Sequence, residues 1–158
     1  MGDITISRAG MNDLDQAWAI VSEYYDSVSV VVREDRTVFS HAYFNARSGF
    51  WLATIDNAVV GCIALRPVVP TSDVFPAAGE VKRLYVQPAS RGRGIAGLLL
   101  DALHDYARTA GYEWLYLDSK DDLKTAIRFY ENRGYRHCAR YNDNPQATIF
   151  MNYRCVPT

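Results

Sequence analysis

Cysteine is scarce in this 158-residue chain, and Cys62, Cys138 and Cys155 are odd in number and far apart. No C-x-x-C pair or Cys/His cluster occurs, so neither a disulfide framework nor a zinc site is indicated. No metal is expected, and reduced thiols point to a cytoplasmic protein. A basic surplus is missing as well: the net charge is −1, whereas a dedicated nucleic-acid binder carries an excess of Lys and Arg. No nucleic-acid partner is expected. The longest apolar run, Ala58 to Leu65, is too short to cross a bilayer, and no apolar stretch follows Asp3. Neither a membrane partner nor a signal peptide is expected. What remains, 49% apolar and 22% charged without repeats, is the composition of one globular domain over residues 1–158.

Hydrophobic spacing divides the chain into alternating elements. Ile4-Thr5-Ile6 reads as a strand, and Asn12 or Asp13 can cap a helix carrying Leu14, Ala17, Trp18, Val21, Tyr24 and Tyr25. Val28 to Val32 reads as extended, and residues 35–47 as a second helix. Two strands, 50–55 and 59–65, flank the turn signal Asp56-Asn57. Pro67 to Gly79, with three prolines, reads as a surface loop before a strand at 80–86. Ile95, Leu98, Leu99, Ala102, Leu103, Tyr106, Ala107 and Ala110 form one helical stripe that stops at Gly111. A strand at 114–117 follows, then a helix capped by Asp121 or Asp122 and stopped by Gly134. Two strands near 135–138 and 148–153 enclose the polar turn Asn142-Asp143-Asn144-Pro145. This order predicts a mixed α/β domain.

The most informative stretch is the junction at 80–96. A strand ends before Pro88, a loop rich in Gly and Arg follows at 91–94, and a helix then begins. Strand, glycine loop and helix N-terminus together offer backbone N–H groups to an anion, so a phosphate-bearing ligand is predicted at Arg91, Gly92, Arg93, Gly94, Ile95 and Ala96. Gly92, Gly94 and Gly97 also satisfy the dinucleotide spacing G-x-G-x-x-G, with Asp118 about twenty residues on. Too few parallel strands follow for that fold. No Gly-Lys-Ser/Thr follows either, which excludes a P-loop. A plain surface turn with solvated arginines is the bland alternative.

These residues resemble the GNAT superfamily of N-acetyltransferases. Arg91-x-x-Gly94-x-Ala96 is similar to that family's Arg/Gln-x-x-Gly-x-Gly/Ala signature. Ala126 to Tyr135, with Tyr130 and Gly134, is similar to its second segment, Ala-x-x-x-Tyr-x-x-x-Gly-Phe/Tyr. The likeness is tight over 80–135 and architectural elsewhere. It implies a single-domain acyl-CoA N-acyltransferase fold with a mixed central sheet flanked by helices, and acetyl-CoA as cosubstrate. It places the pantetheine arm against Leu84, Tyr85 and Val86, where strands 80–86 and 114–118 splay, and the diphosphate on residues 91–96.

The resemblance assigns Tyr130 as general acid toward the departing thiolate and Glu80 as a general base, directly or through water. The bland alternatives are a core tyrosine, since Tyr130 shares a stripe with Leu123 and Ile127, and a charge at a strand end. One departure from the family stands at Leu123, where an asparagine is frequent. Tyr24, Tyr25, Asp26, His41 and Phe44 are candidates for the acceptor wall, and the acidic groups would suit a cationic amine. The expected activity is acetyl transfer to a primary amine of a small molecule by direct attack, since neither motif holds a cysteine nucleophile. A protein or peptide acceptor is the enzymatic alternative, and a non-catalytic acyl-CoA sensor is the second class. A homodimer is left open.

Overall fold

The computed structural model describes residues 2–28, 34–69, 71 and 73–155. Its elements run β1 (Ile4–Arg8), α1 (Leu14–Ser27), α2 (Arg36–Tyr43), β2 (Gly49–Ile55), β3 (Ala58–Pro67), β4 (Ala78–Val86), α3 (Ile95–Thr109), β5 (Trp114–Ser119), α4 (Lys124–Asn132), β6 (Arg136–His137) and β7 (Ile149–Arg154). The order matches the pattern read from hydrophobic spacing. One mixed seven-stranded sheet takes the strands as β1-β2-β3-β4-β5-β7-β6. The β4–β5 pair is parallel, while β1–β2, β2–β3, β5–β7 and β6–β7 are antiparallel.

The chain forms two compact units. The first comprises Met1–Arg66 and Val81–Tyr106. Here α1 and α2 lay Ala17, Ile20, Val21, Phe39 and Tyr43 against Phe50, Leu52, Cys62 and Ala64 of the sheet. Phe39 meets Phe50 edge to face at 5.0 Å, the arrangement aromatic quadrupoles favour. The β2–β3 turn has Asp56 and Asn57 at φ 51° and 65°, as a tight hairpin of right-twisted strands requires. Asp35 caps α2 by accepting the Val38 N–H at 2.9 Å. Asp13 sits at the start of α1 but gives its carboxylate to the Gly10 N–H instead. In α3 the buried leucines are Leu99, Leu100 and Leu103, while Leu98 is exposed, so the expected stripe is out of phase at that position. Gly61 is fixed by a close approach: a Cβ there would lie 2.8 Å from the Tyr85 carbonyl oxygen. Val28 is extended as expected. The remainder of that expected extended segment, 29–32, lies outside the described residues.

The second unit comprises Pro67–Glu80 and Ala107–Thr158. Its core joins Val74, Ala78, Tyr116, Tyr141, Ala147 and Phe150. The segment read as a surface loop therefore sends Val74 inward. The parallel β4–β5 ladder pairs Ala78–Glu80 with Trp114–Tyr116. Gly111 and Gly134, at φ 88° and 92°, follow α3 and α4 as the stop signals predict. The cap of α4 differs from expectation. Leu123 holds the N-cap position, because a turn closed by Leu123 N–H on the Lys120 carbonyl precedes the helix, and Asp121 instead donates its N–H to Thr148 Oγ1.

Candidate active site

The loop after β4 is built to leave backbone donors unspent. Gln87 anchors it by donating its N–H to the Val60 carbonyl at 2.8 Å, and a single tight turn covers Pro88–Ser90. Gly92 and Gly94 then take φ 81° and 80°, a conformation that L side chains adopt only at a cost. A Cβ at either position would meet nothing within 4 Å, so backbone conformation, not crowding, demands glycine here. Leu98 closes the first turn of α3 onto the Gly94 carbonyl at 3.1 Å. Among the described residues, the N–H groups of residues 92–96 donate to no protein acceptor. They gather at the positive end of a 15-residue helix, an arrangement that suits a diphosphate. The two arginines are partly engaged elsewhere. Arg91 Nε donates to the Val86 carbonyl at 2.9 Å, and Arg93 Nη2 donates to the Gly2 carbonyl at 3.4 Å.

Within β4 the strand is not regular. Arg83 stands at φ 59°, a left-handed residue in mid-strand, immediately before Leu84, Tyr85 and Val86. Such an outlier costs about 1–3 kcal/mol and persists where its surroundings over-determine it. The Cys62 thiol donates to the Arg83 carbonyl at 3.3 Å, and the side chain reaches Glu34 and Tyr25. Glu23, whose charge raises the pKa of the Tyr85 phenol after burial does, accepts from Gln87 Nε2 at 3.0 Å, and the Tyr85 ring meets Tyr24 at 6.1 Å. Of the proposed acceptor wall, the structure thus brings Tyr24 and Tyr25 to β4. Phe44 packs on Phe39 and Phe50 in the aromatic core, while Asp26 and His41 are exposed. Arg83 and Glu34 escaped the sequence reading, while Glu23 lies in the segment 22–26 expected at the acceptor wall.

Glu80, in the second unit, is 5% exposed, so its carboxylate must be compensated by hydrogen bonds. Tyr141 donates its hydroxyl to Glu80 Oε2 at 2.7 Å, and Asn142 Nδ2 adds a longer contact at 3.4 Å. The same Asn142 amide donates to Asp118 Oδ2 at 2.7 Å, linking two carboxylates through one side chain. Burial, and then the neighbouring Glu80 carboxylate, push the Tyr141 phenol far above the usual tyrosine range. It therefore stays protonated and remains a donor. The polar turn at 142–145 is thus more than a connection.

Tyr130 is 8% exposed on α4, its ring set edge to face with Phe129 and Tyr135 at 5.3 Å each. Among the described residues, no three His, Cys, Asp or Glu side chains gather as a metal site. No described helix is long and apolar enough to cross a membrane.

A model of the acetyltransferase (GNAT) family matches residues 14–135. The chain belongs to this family, and its domain is that of an acetyl-CoA-dependent N-acyltransferase. An uncharacterised N-acetyltransferase of Schizosaccharomyces pombe is 29% identical over 154 residues, covering 93% of this chain and 91% of the relative. Other curated relatives are longer, and the chain spans about half their length. The crystal structure of a GNAT acetyltransferase from Staphylococcus aureus matches with a TM-score of 0.80 at 19% identity, covering 98% of this chain and all of the other. That of the PaiA N-acetyltransferase from Thermoplasma acidophilum, in complex with coenzyme A, matches with a TM-score of 0.72 at 16% identity, covering 96% of this chain and 99% of the other. The fold is the GNAT fold.

Proposed function

We propose that residues 1–158 act as one N-acetyltransferase domain that moves acetyl from acetyl-CoA to the primary amine of a small molecule, by direct attack in a ternary complex. The observation that carries the cofactor assignment is the set of unspent N–H groups at 92–96 on the helix end. The coenzyme A bound to the Thermoplasma relative supports it. In this reading residues 91–96 hold the diphosphate, and the edge of Leu84–Val86 hydrogen-bonds the amide arm. The cosubstrate supplies the activated thioester acyl group. An ammonium must lose a proton before its nitrogen can attack, and Glu80, held by Tyr141 and Asn142, is the acceptor for that proton. As the C–S bond breaks, Tyr130 donates its phenolic proton to the departing sulfur and is reprotonated by the second proton that nitrogen sheds, so the ammonium loses two protons, one ending on sulfur and one passing from Glu80 to solvent.

Cys62 does not compete as a nucleophile. Burial raises its pKa above the ordinary thiol range despite the nearby Arg83 charge, and its S–H is engaged by the Arg83 carbonyl. The three free thiols support a cytoplasmic setting.

The test is release of free CoA thiol across a panel of amino acids, polyamines, aminoglycosides and peptides. At least one small amine should be turned over faster than any peptide. Binding of acetyl-CoA without thiol release from any acceptor would identify a sensor module instead. For the loop, Gly94→Ala forces a Cβ into the left-handed region at a cost of about 1–2 kcal/mol. It should raise the KM for acetyl-CoA about tenfold while the KM for the amine stays put. An unchanged acetyl-CoA KM would move the diphosphate elsewhere.

A further inference from the structure

Arg83 is constrained at both its side chain and its backbone. Its side chain is 20% exposed and that of Glu34 only 8%, so this ion pair is largely withdrawn from water. Yet the pairing is poor for a buried one. Nε and Nη2 both reach the same Glu34 oxygen, each at 3.3 Å, whereas close charge-assisted pairs lie at about 2.7–2.9 Å and engage both carboxylate oxygens. Among the described residues, Nη1 and the second Glu34 oxygen make no hydrogen bond. The guanidinium lies over the Tyr25 ring, 5.2 Å from its centroid, and the Tyr25 hydroxyl is buried with no partner among the described residues. Burial works against the charge on Arg83, but the Glu34 carboxylate opposes it and the group stays cationic. The backbone of the same residue is the mid-strand outlier at φ 59°.

A purely structural ion pair explains none of the three: the unspent donors, the unspent hydroxyl and the strain. Together they describe a cation held in place with part of its fork reserved. A planar oxyanion is what such a fork accepts. Arg83 also directly precedes Leu84, on the strand segment assigned to the pantetheine arm, which sets an anion bound there next to the acyl-transfer path.

We propose that Arg83, with the Tyr25 hydroxyl, anchors a carboxylate of the acceptor, so that the substrate class is an amino carboxylic acid and not a simple amine. This rests on the acetyl-transfer reading for its catalytic meaning, but the binding it asserts stands apart from turnover.

The test pairs each of the twenty protein amino acids with its carboxamide. Binding is measured by calorimetry on the CoA-saturated protein, and turnover by thiol release. At least one acid should bind on the order of 30-fold tighter than its amide, the loss expected when a charged donor is left unpaired. Arg83→Gln should bring that ratio close to one and leave the acetyl-CoA KM unchanged. Tyr25→Phe deletes only the hydroxyl and cannot disturb the strand. It should weaken the acid about fivefold and the amide not at all. Equal binding of acid and amide, or equal loss of both in the two variants, overturns the assignment. Selective acid binding without thiol release upholds it and overturns the acetyl-transfer reading alone.

Discussion

Tyr130→Phe lowers kcat by about 100-fold and leaves the KM for acetyl-CoA within twofold of the parent; steady-state thiol release measures both. The reasoning begins with packing. Phenylalanine retains the ring that sits edge to face with Phe129 and Tyr135, so the hydroxyl alone is removed from a buried position on α4. A core tyrosine whose work is packing would barely register that change in turnover. A general acid would, because proton transfer by a positioned group contributes about 10²–10⁴-fold. The lower end is expected here, since a thiolate with a pKa of about 8.5 leaves far more readily than an alkoxide. Unchanged kcat returns Tyr130 to the core and leaves the sulfur to be protonated by water.

Glu80→Gln is the second large effect: kcat/KM falls by about 100-fold at neutral pH, and the acidic limb of its pH profile flattens. Glutamine keeps a carbonyl oxygen to accept from the Tyr141 hydroxyl, so the geometry survives while the basic site is lost. The sign follows from the proton balance. A carboxylate base works only when ionised, so acid suppresses the activity, and a neutral amide cannot show that drop. Tyr141 does not imitate this limb, because burial and the neighbouring carboxylate push its own titration upward, away from the acid range. A profile of unaltered shape would hand the role to another group or to bulk water.

Much of this was legible in the residues. Asp56-Asn57 announced a hairpin because few sequences tolerate two successive positive φ angles, and the loop at 91–96 announced a helix-end anion site because glycine there has a conformational reason. Three consecutive leucines at 98–100 blurred the phase of α3, so periodicity alone placed Leu98 inside where the fold puts Leu100. Local cap chemistry favoured Asp121 or Asp122, but Thr148, 27 residues away, claims the Asp121 N–H. The support of Glu80 was invisible for the same reason: Tyr141 lies 61 residues from it along the chain. Arg83 was the hardest case. No sequence signature marks an arginine that adopts a left-handed conformation inside a strand, and its partner Glu34 lies 49 residues away, in the connection ahead of α2.

The position of β7 bears on how the chain matures during synthesis. The first unit contains no residue beyond Tyr106, so all of its sequence is available early. The second unit cannot close on that schedule. Residues 149–154 pair with all six residues of β5 and also supply the partner of β6. Until that segment emerges from the ribosome, one edge of β5 is exposed and Arg136–His137 have no neighbouring strand. A pause in translation ahead of residue 149 therefore holds the nascent chain with an unpaired β5 edge, an aggregation-prone form.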